Sequence, residues 1–161
     1  MLFKPTYALK SVKNITPELL KAEGIEALIL DLDNTLTTHN NPRPAEGVPE
    51  WLELMKKSGI KLLIVSNNHA PRVTPFAEML GLDFVPEGAK PLPKGYNIAA
   101  KKFGLPKSKI CAVGDQIFTD ILGANLAGIR SIFVYPIEFE SSLPFRIKRF
   151  IERPLLPKEY K

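Results

Sequence analysis

The chain of 161 residues contains a single cysteine, Cys111, so a disulfide framework is excluded. Cys111 lies in the apolar run Lys109-Ile110-Cys111-Ala112-Val113, with no base or helix start beside it. It is expected to be a small buried hydrophobe rather than a nucleophilic thiol. Histidine is scarce too: only His39 and His69 are present, so a zinc site of nitrogen and sulfur ligands lacks its donors. No segment approaches the roughly eighteen apolar residues that would span a bilayer. The opening Met1-Leu2-Phe3-Lys4-Pro5 has neither a long apolar stretch nor a small-residue cleavage site, which sets the expectation of a cytoplasmic protein. Low-complexity tracts and solenoid-period repeats are missing. So is a G-x-x-x-x-G-K-[ST] nucleotide loop, a spacing that Gly88-Ala89-Lys90 does not meet. The net charge of +5 is a moderate excess of base. It suits an acidic substrate or an anionic membrane surface, and no nucleic-acid partner is expected.

What is present is an alternation of strand-like and helix-like segments. Strands are predicted at 26–32, 61–66, 84–85, 109–113 and 130–135. Several are unbroken apolar runs such as Ala27-Leu28-Ile29-Leu30, the pattern of strands buried on both faces of a parallel sheet. Helices are predicted between them. One opens on Pro49 and stops before Gly59, one spans 71–80, one spans 93–103 and stops at Gly104, and one spans 119–127 and stops at Gly128. Thr16-Pro17-Glu18 reads as an N-cap and first turn. This order predicts a single α/β domain over 1–161, with a parallel sheet and right-handed crossovers. Its core covers about 24–136, and residues 1–15 and 136–161 are expected as arms.

Ligands of an open parallel sheet bind beyond the carboxyl ends of its strands. The predicted strands end in Asp31-Leu32-Asp33-Asn34-Thr35, in Ser66-Asn67-Asn68, and in Gly114-Asp115-Gln116, with Asp120 one turn later. Lys90 sits in the loop between the third and fourth strands. Taken singly, these aspartates could cap helices or turns. Three strand ends carrying acids and a hydroxyl to one sheet edge argue for a site. On an extended strand Asp31 and Asp33 would point to one side. Two carboxylates that close repel unless a counter-charge is supplied. A hard divalent cation such as Mg²⁺ supplies it, and Asp115 offers a third oxygen ligand.

At these residues the chain resembles the haloacid dehalogenase superfamily of phosphohydrolases. Four motifs occur in order: Asp31-Leu32-Asp33-Asn34-Thr35-Leu36, the strand-ending Ser66 followed by Asn67, the lysine in Ala89-Lys90-Pro91, and Gly114-Asp115-Gln116-Ile117-Phe118-Thr119-Asp120. The resemblance spans Asp31 to about Asn125. The longer strings Leu30–Leu36 and Gly114–Ile121 are similar to the YqeG branch of subclass IIIA, which is itself similar to mitochondrial and cyanobacterial phosphatidylglycerophosphate phosphatases. Lys4-Pro5 and the closing Leu155-Leu156-Pro157-Lys158 fit that branch loosely.

The resemblance implies a Rossmann-like α/β/α core and an aspartyl-phosphate mechanism acting on a phosphorylated substrate. Asp31 would be the nucleophile and Asp33 the general acid and base. Mg²⁺ would be held by Asp31, by the backbone carbonyl of Asp33, and by Asp115. Ser66, Asn67 and Lys90 would hold the phosphoryl group, and Asp120 would orient Lys90 or metal-bound water. Lys94, at a predicted helix start, competes with Lys90 for the lysine role. Only thirty-four residues separate Asp31 from Ser66 and twenty-three separate Ser66 from Lys90, so neither interval holds a cap domain. Two other readings stand beside the phosphatase: a receiver-like phosphoacceptor and a non-catalytic phosphate-binding module.

The closing stretch 143–153 can form a helix with Leu143, Ile147, Phe150 and Ile151 on one face and Arg146, Arg149 and Arg153 elsewhere. Two arrangements fit. The apolar face packs on the sheet with the bases in solvent, or the helix rests peripherally on anionic lipid.

Overall fold

A computed structural model describes residues 1–139 and 141–156. Pro157 and Lys158, part of the closing motif, lie outside the described residues. Six strands form one parallel sheet: β1 (Tyr7–Leu9), β2 (Ala27–Leu30), β3 (Lys61–Val65), β4 (Asp83–Val85), β5 (Ile110–Gly114) and β6 (Arg130–Val134), in the spatial order β1-β6-β5-β2-β3-β4. The described residues form six α-helices: α1 (Pro17–Ala22), α2 (Val48–Lys57), α3 (Ala70–Met79), α4 (Lys94–Phe103), α5 (Leu122–Leu126) and α6 (Leu143–Glu152). The N-terminal stretch is not the arm expected from the sequence. Three of its residues add an edge strand, Tyr7 pairing with Ile132 and Leu9 with Val134. A three-residue strand gives too short a periodicity to be read from sequence.

The strands are buried on both faces because alternate residues serve two layers. Leu28, Leu30, Ile64, Cys111, Val113, Ile132 and Val134 share one cluster with Leu20 of α1, Trp51, Leu52 and Met55 of α2, and Phe76 of α3. Ala27, Ile29, Leu63, Val65, Ile110 and Ala112 join Tyr96, Ala99 and Phe103 of α4 and Ala124 of α5 on the other side. The result is a three-layer α/β/α sandwich. Burial also settles Cys111: its thiol is pushed up to about 12, which makes it inert packing.

Chain order reverses at β2. From β2 the chain moves to β3 and β4 on one side, then returns to β5 and β6 on the other. The crevice between the carboxyl ends of β2 and β5 is therefore a topological switch point. Between β2 and β5 the chain runs through α2, β3, α3, β4, α4 and one short 3-10 turn, so no cap domain is inserted there. No described helix is long and apolar enough to cross a membrane.

Candidate active site

The site is built by the loops that leave β2, β3 and β5. Asp31 follows β2 directly and its backbone N–H donates to Val113 of β5 at 2.9 Å, which seats it on the switch point. Its Oδ2 accepts from the Thr35 hydroxyl at 3.2 Å, and its Oδ1 accepts from Lys90 Nζ at 2.5 Å. Lys90 Nζ also donates to Asp120 Oδ1 at 2.6 Å. Asp31, Asp115 and Asp120 each offer an oxygen within 4.8 Å of the others.

Lys90 is held from behind. Its backbone N–H donates to Asn67 Oδ1 at 2.7 Å, and its carbonyl accepts from Asn67 Nδ2 at 2.9 Å. The Asn67 carboxamide, expected on phosphoryl oxygens, is engaged with the Lys90 backbone through Oδ1 and one Nδ2 hydrogen, and so positions the lysine. The Ser66 hydroxyl is buried at the end of β3 and accepts from the Asn68 N–H at 3.1 Å. Lys94 is exposed at the start of α4, so the structure brings Lys90 and not Lys94 to the carboxylates.

Asp120 reaches the cluster through an irregular turn. Residues Ile117–Ile121 form one π-helical turn in which the Gln116 carbonyl accepts from both Asp120 (2.9 Å) and Ile121 (3.2 Å). The sequence predicted ordinary helix from 119. The extra residue in the turn folds the Asp120 carboxylate back over Gly114, and Asp120 Oδ2 accepts from the Gln116 N–H at 3.0 Å. A Cβ on Gly114 would lie 2.3 Å from Asp120 Cγ, which explains the glycine that opens Gly114-Asp115. The fully buried Tyr96 donates its hydroxyl to the Asp120 carbonyl at 3.0 Å.

Asp33 departs from expectation. Its carboxylate is not in the cluster; it accepts from Arg72 Nη2 at 2.9 Å, from the Asn40 N–H at 3.0 Å, and from the Asn68 carboxamide. The argument that residues two apart share a side holds only on a strand, and β2 ends at Leu30. Beyond it the chain makes an isolated bridge between Asp33 and Thr37, with Asn34 left-handed at φ 63°. Asp31 and Asp33 therefore diverge, one inward to Lys90 and one outward to α3. The place of second carboxylate beside Asp31 belongs to Asp120.

The largest surprise is α6. Its apolar face does not pack on the sheet: Leu143, Ile147, Phe150 and Ile151 are all at least half exposed. The polar face turns inward instead. Arg149, expected outside in either arrangement, donates through Nη1 to the Asp115 carbonyl at 2.6 Å and through Nη2 to Asp115 Oδ2. Glu152, fully buried, accepts from Arg149 Nη1 at 3.3 Å and from the Phe118 N–H at 3.0 Å. Lys148 donates to Gln116. Sequence reasoning missed Arg72, Asn68, Tyr96 and Glu152. The one available signal was Glu152, the lone acid in a basic helix, three residues after Arg149.

The electrostatics of the cluster suit a cation. Burial, then Asp120, raise Asp31 to about 6 even though Lys90 opposes the shift. Burial also drives Asp115 well above the ordinary carboxylate range despite Arg149. Burial alone would lower Lys90, but Asp120 and Asp31 outweigh it and hold the ammonium well above its usual value. Asp115 Oδ1 is buried with no hydrogen-bond partner among the described residues. Among the described residues, four carboxyl groups (Asp31, Asp115, Asp120 and Glu152) surround two cations (Lys90 and Arg149), an excess of potential negative charge in one buried cluster. An all-oxygen donor set with an orphaned buried oxygen and that charge fits a hard divalent ion.

Comparison with known proteins agrees with this geometry. The sequence profile of haloacid dehalogenase-like hydrolases matches residues 40–128, which include Ser66, Lys90, Asp115 and Asp120. "Probable phosphatase YqeG" of Bacillus subtilis is 40% identical over 154 residues, covering 96% of this chain and 90% of that protein. The chain is a member of the haloacid dehalogenase-like hydrolase family. It is a phosphatase of that family, acting on a phosphorylated substrate, and the YqeG-like resemblance holds along almost its whole length. A second profile, mitochondrial phosphatidylglycerophosphate (PGP) phosphatase, matches residues 1–74, which include Asp31 and Asp33. The chloroplastic phosphatidylglycerophosphate phosphatase 1 of Chlamydomonas reinhardtii is 25% identical over 155 residues. That match covers 89% of this chain but only 56% of the algal protein, so the chain spans about half of that relative. Among solved structures, the Thermotoga maritima 4-nitrophenylphosphatase superposes with a TM-score of 0.61 at 15% identity, covering 86% of this chain and 92% of the other, a likeness of fold.

Proposed function

We propose that this hydrolase is a Mg²⁺-dependent phosphomonoesterase whose nucleophile is Asp31, and that its substrate is a lipid phosphate of the phosphatidylglycerophosphate type. The observation that supports the chemistry best is Lys90 Nζ lying between Asp31 and Asp120, with the orphaned Asp115 Oδ1 in the same cluster. Asp31 attacks phosphorus through a carboxylate oxygen, the phosphorus–oxygen bond to the leaving alcohol breaks, and an aspartyl-phosphate forms. Water then cleaves that acyl phosphate and regenerates the carboxylate. Lys90 offsets charge on the transferring group while Asn67 keeps the lysine in place. Ser66 lends a hydroxyl to a phosphoryl oxygen. Asp33 protonates the leaving oxygen and later takes a proton from water, and for that it turns from Arg72 and Asn68 toward the substrate. Asp31, Asp115 and the backbone carbonyl of Asp33 would hold Mg²⁺, with Asp120 beside them. A bound Mg²⁺ would neutralise the carboxylates and the phosphoryl oxygens, lowering the repulsion between two anions.

Two observations support a lipid substrate. The profile and the algal relative carry that activity in their names. The helix at the rim of the site presents Leu143, Ile147, Phe150 and Ile151 outward, flanked by exposed Arg146 and Arg153. An amphipathic face with bases suits an anionic lipid surface, each near-surface base adding about 1 kcal/mol. A phosphatase working there would be peripheral to the membrane rather than inserted in it.

A metal-dependent assay on phosphatidylglycerophosphate in mixed micelles, with sugar and nucleotide phosphates alongside, tests this reading. Preference for the lipid and salt-sensitive sedimentation with anionic vesicles are expected. Phe150→Ser with Ile151→Ser should weaken vesicle binding while sparing turnover of a soluble phosphomonoester. Preference for soluble phosphates with no vesicle binding at low salt would remove the lipid substrate and leave the phosphatase.

A further inference from the structure

We infer that Arg149 is a positioning residue of the active site: from α6 it fixes one oxygen of Asp115 and so reserves the other, Oδ1, for the divalent cation. The inference rests on the cation reading of the same site. It assigns the C-terminal helix a part in building the catalytic edge, although none of its residues belongs to a sequence motif of that edge.

The contact is built, not incidental. A planar guanidinium can bind two acceptors at fixed separation. Here it takes the Asp115 carbonyl through Nη1 and Asp115 Oδ2 through Nη2, so backbone and side chain of one residue are clamped together. Glu152 takes Nη1 from the far side and anchors itself to the Phe118 N–H, tying the helix to the π turn that carries Asp120. Arg149 is only 16% exposed at its side chain, and Asp115 and Glu152 are fully buried. Ionisable groups out of water are costly unless each is paired. Among the described residues, every side-chain oxygen of this group has a partner except Asp115 Oδ1.

An alternative is that Arg149 takes the cation's place. Charge speaks against it. Glu152 already pairs with the guanidinium, and the described acids of the cluster still outnumber its cations with Arg149 bound. Groups that orient a metal ligand through its other polar atom commonly change metal affinity by about 10- to 100-fold when removed.

The test is direct Mn²⁺ binding to the full-length, metal-stripped protein, read from the electron paramagnetic resonance of free Mn²⁺. Arg149→Met should raise the Kd about 10-fold or more. Arg149→Lys, a point charge without the fork, should recover part of that loss, and Glu152→Gln should shift the Kd in the same direction by less. Arg146→Ala, on the exposed side of the same helix, should leave it unchanged. In an Asp115→Asn background the Arg149→Met effect should vanish, because the two act through one oxygen pair. On a soluble phosphomonoester, Arg149→Met should regain most of its kcat at saturating Mn²⁺, which a distorted fold would not. If Arg149→Met proves unfolded by circular dichroism, Arg149→Lys and Glu152→Gln carry the same comparison. An unchanged or tighter Kd in the folded variants overturns the proposal, the tighter value meaning that the guanidinium competes with the ion. Failure of the wild type to bind Mn²⁺ overturns the cation reading itself.

Discussion

Lys90 has a buried ammonium, and two of its partners are the carboxylates of Asp31 and Asp120. Removing it leaves those anions without their counter-charge, and breaking a buried pair costs roughly 3–5 kcal/mol. Lys90→Ala should therefore lower both the melting temperature and kcat, the latter by about 10²-fold or more. Lys94→Ala, on the exposed first turn of α4, should be close to neutral in both. Steady-state kinetics and thermal melts of the two variants check the contrast. A second expectation concerns pH. Asp31 rises from an ordinary 3.8 to about 6 in the folded, metal-free protein, through burial and then Asp120. The folded state holds that proton more tightly than the unfolded state does. Its contribution to stability is complete below pH 3.8 and is lost as pH climbs through about 6. Melting of the metal-free protein should thus weaken across that interval, and added Mg²⁺ should raise the melting temperature more at pH 7 than at pH 5. Calorimetry over the range reads both effects.

At the scale of elements, the loop after β5 shows how a motif's spacing is enforced. Gly114 leaves the space that Asp120 fills, and the π turn over Ile117–Ile121 brings Asp120 back to the strand it followed. Gly114→Ala would force a Cβ against the Asp120 carboxylate at 2.3 Å. Overpacking of this kind costs about 1–3 kcal/mol. Because the clash is with a cluster carboxylate, loss of Mn²⁺ affinity should accompany it, which binding and melting measurements on one sample would separate from simple destabilisation. The loop after β2 shows the opposite lesson. Asp31 and Asp33 were legible as paired acids, but their divergence was not. It depends on where strand pairing with β3 and β5 ends, at Leu30 with one last bond from the Asp31 N–H, and on a left-handed Asn34. Sequence periodicity locates a strand well and its last residue poorly. Asp33→Ala should lower turnover by about 10²-fold with little change in Mn²⁺ affinity, since its carboxylate stands on Arg72 and Asn68 rather than with Asp31.

For the molecule as a whole, the parallel sheet and its two helical layers were legible because buried strands leave unbroken apolar runs and helices leave stops at Gly59, Gly81, Gly104 and Gly128. The edge strand at Tyr7–Leu9 was hidden by its brevity; α6 was legible as a helix, and only the face it turns inward was hidden, by its chemistry. An amphipathic helix normally turns its apolar face to the core. Here buried Glu152 and the Asp115 clamp draw the polar face inward and leave the apolar face out. Truncation after Pro136 would therefore remove Arg149 and Glu152 along with the exposed face. The truncated chain, where it folds, should need more Mg²⁺ even on a soluble phosphomonoester, whereas the Phe150→Ser, Ile151→Ser double variant should not. The most direct test of the central claim is trapping of the phosphoenzyme. Wild-type protein, Mg²⁺ and a phosphomonoester are mixed, quenched in acid during turnover, digested and mapped by mass spectrometry. One phosphoryl group on the Asp31 peptide, lost with chelator and in a folded Asp31→Asn variant, is the expected result. Full turnover by that variant, or a phosphoryl group on any other residue, would contradict Asp31 as the nucleophile.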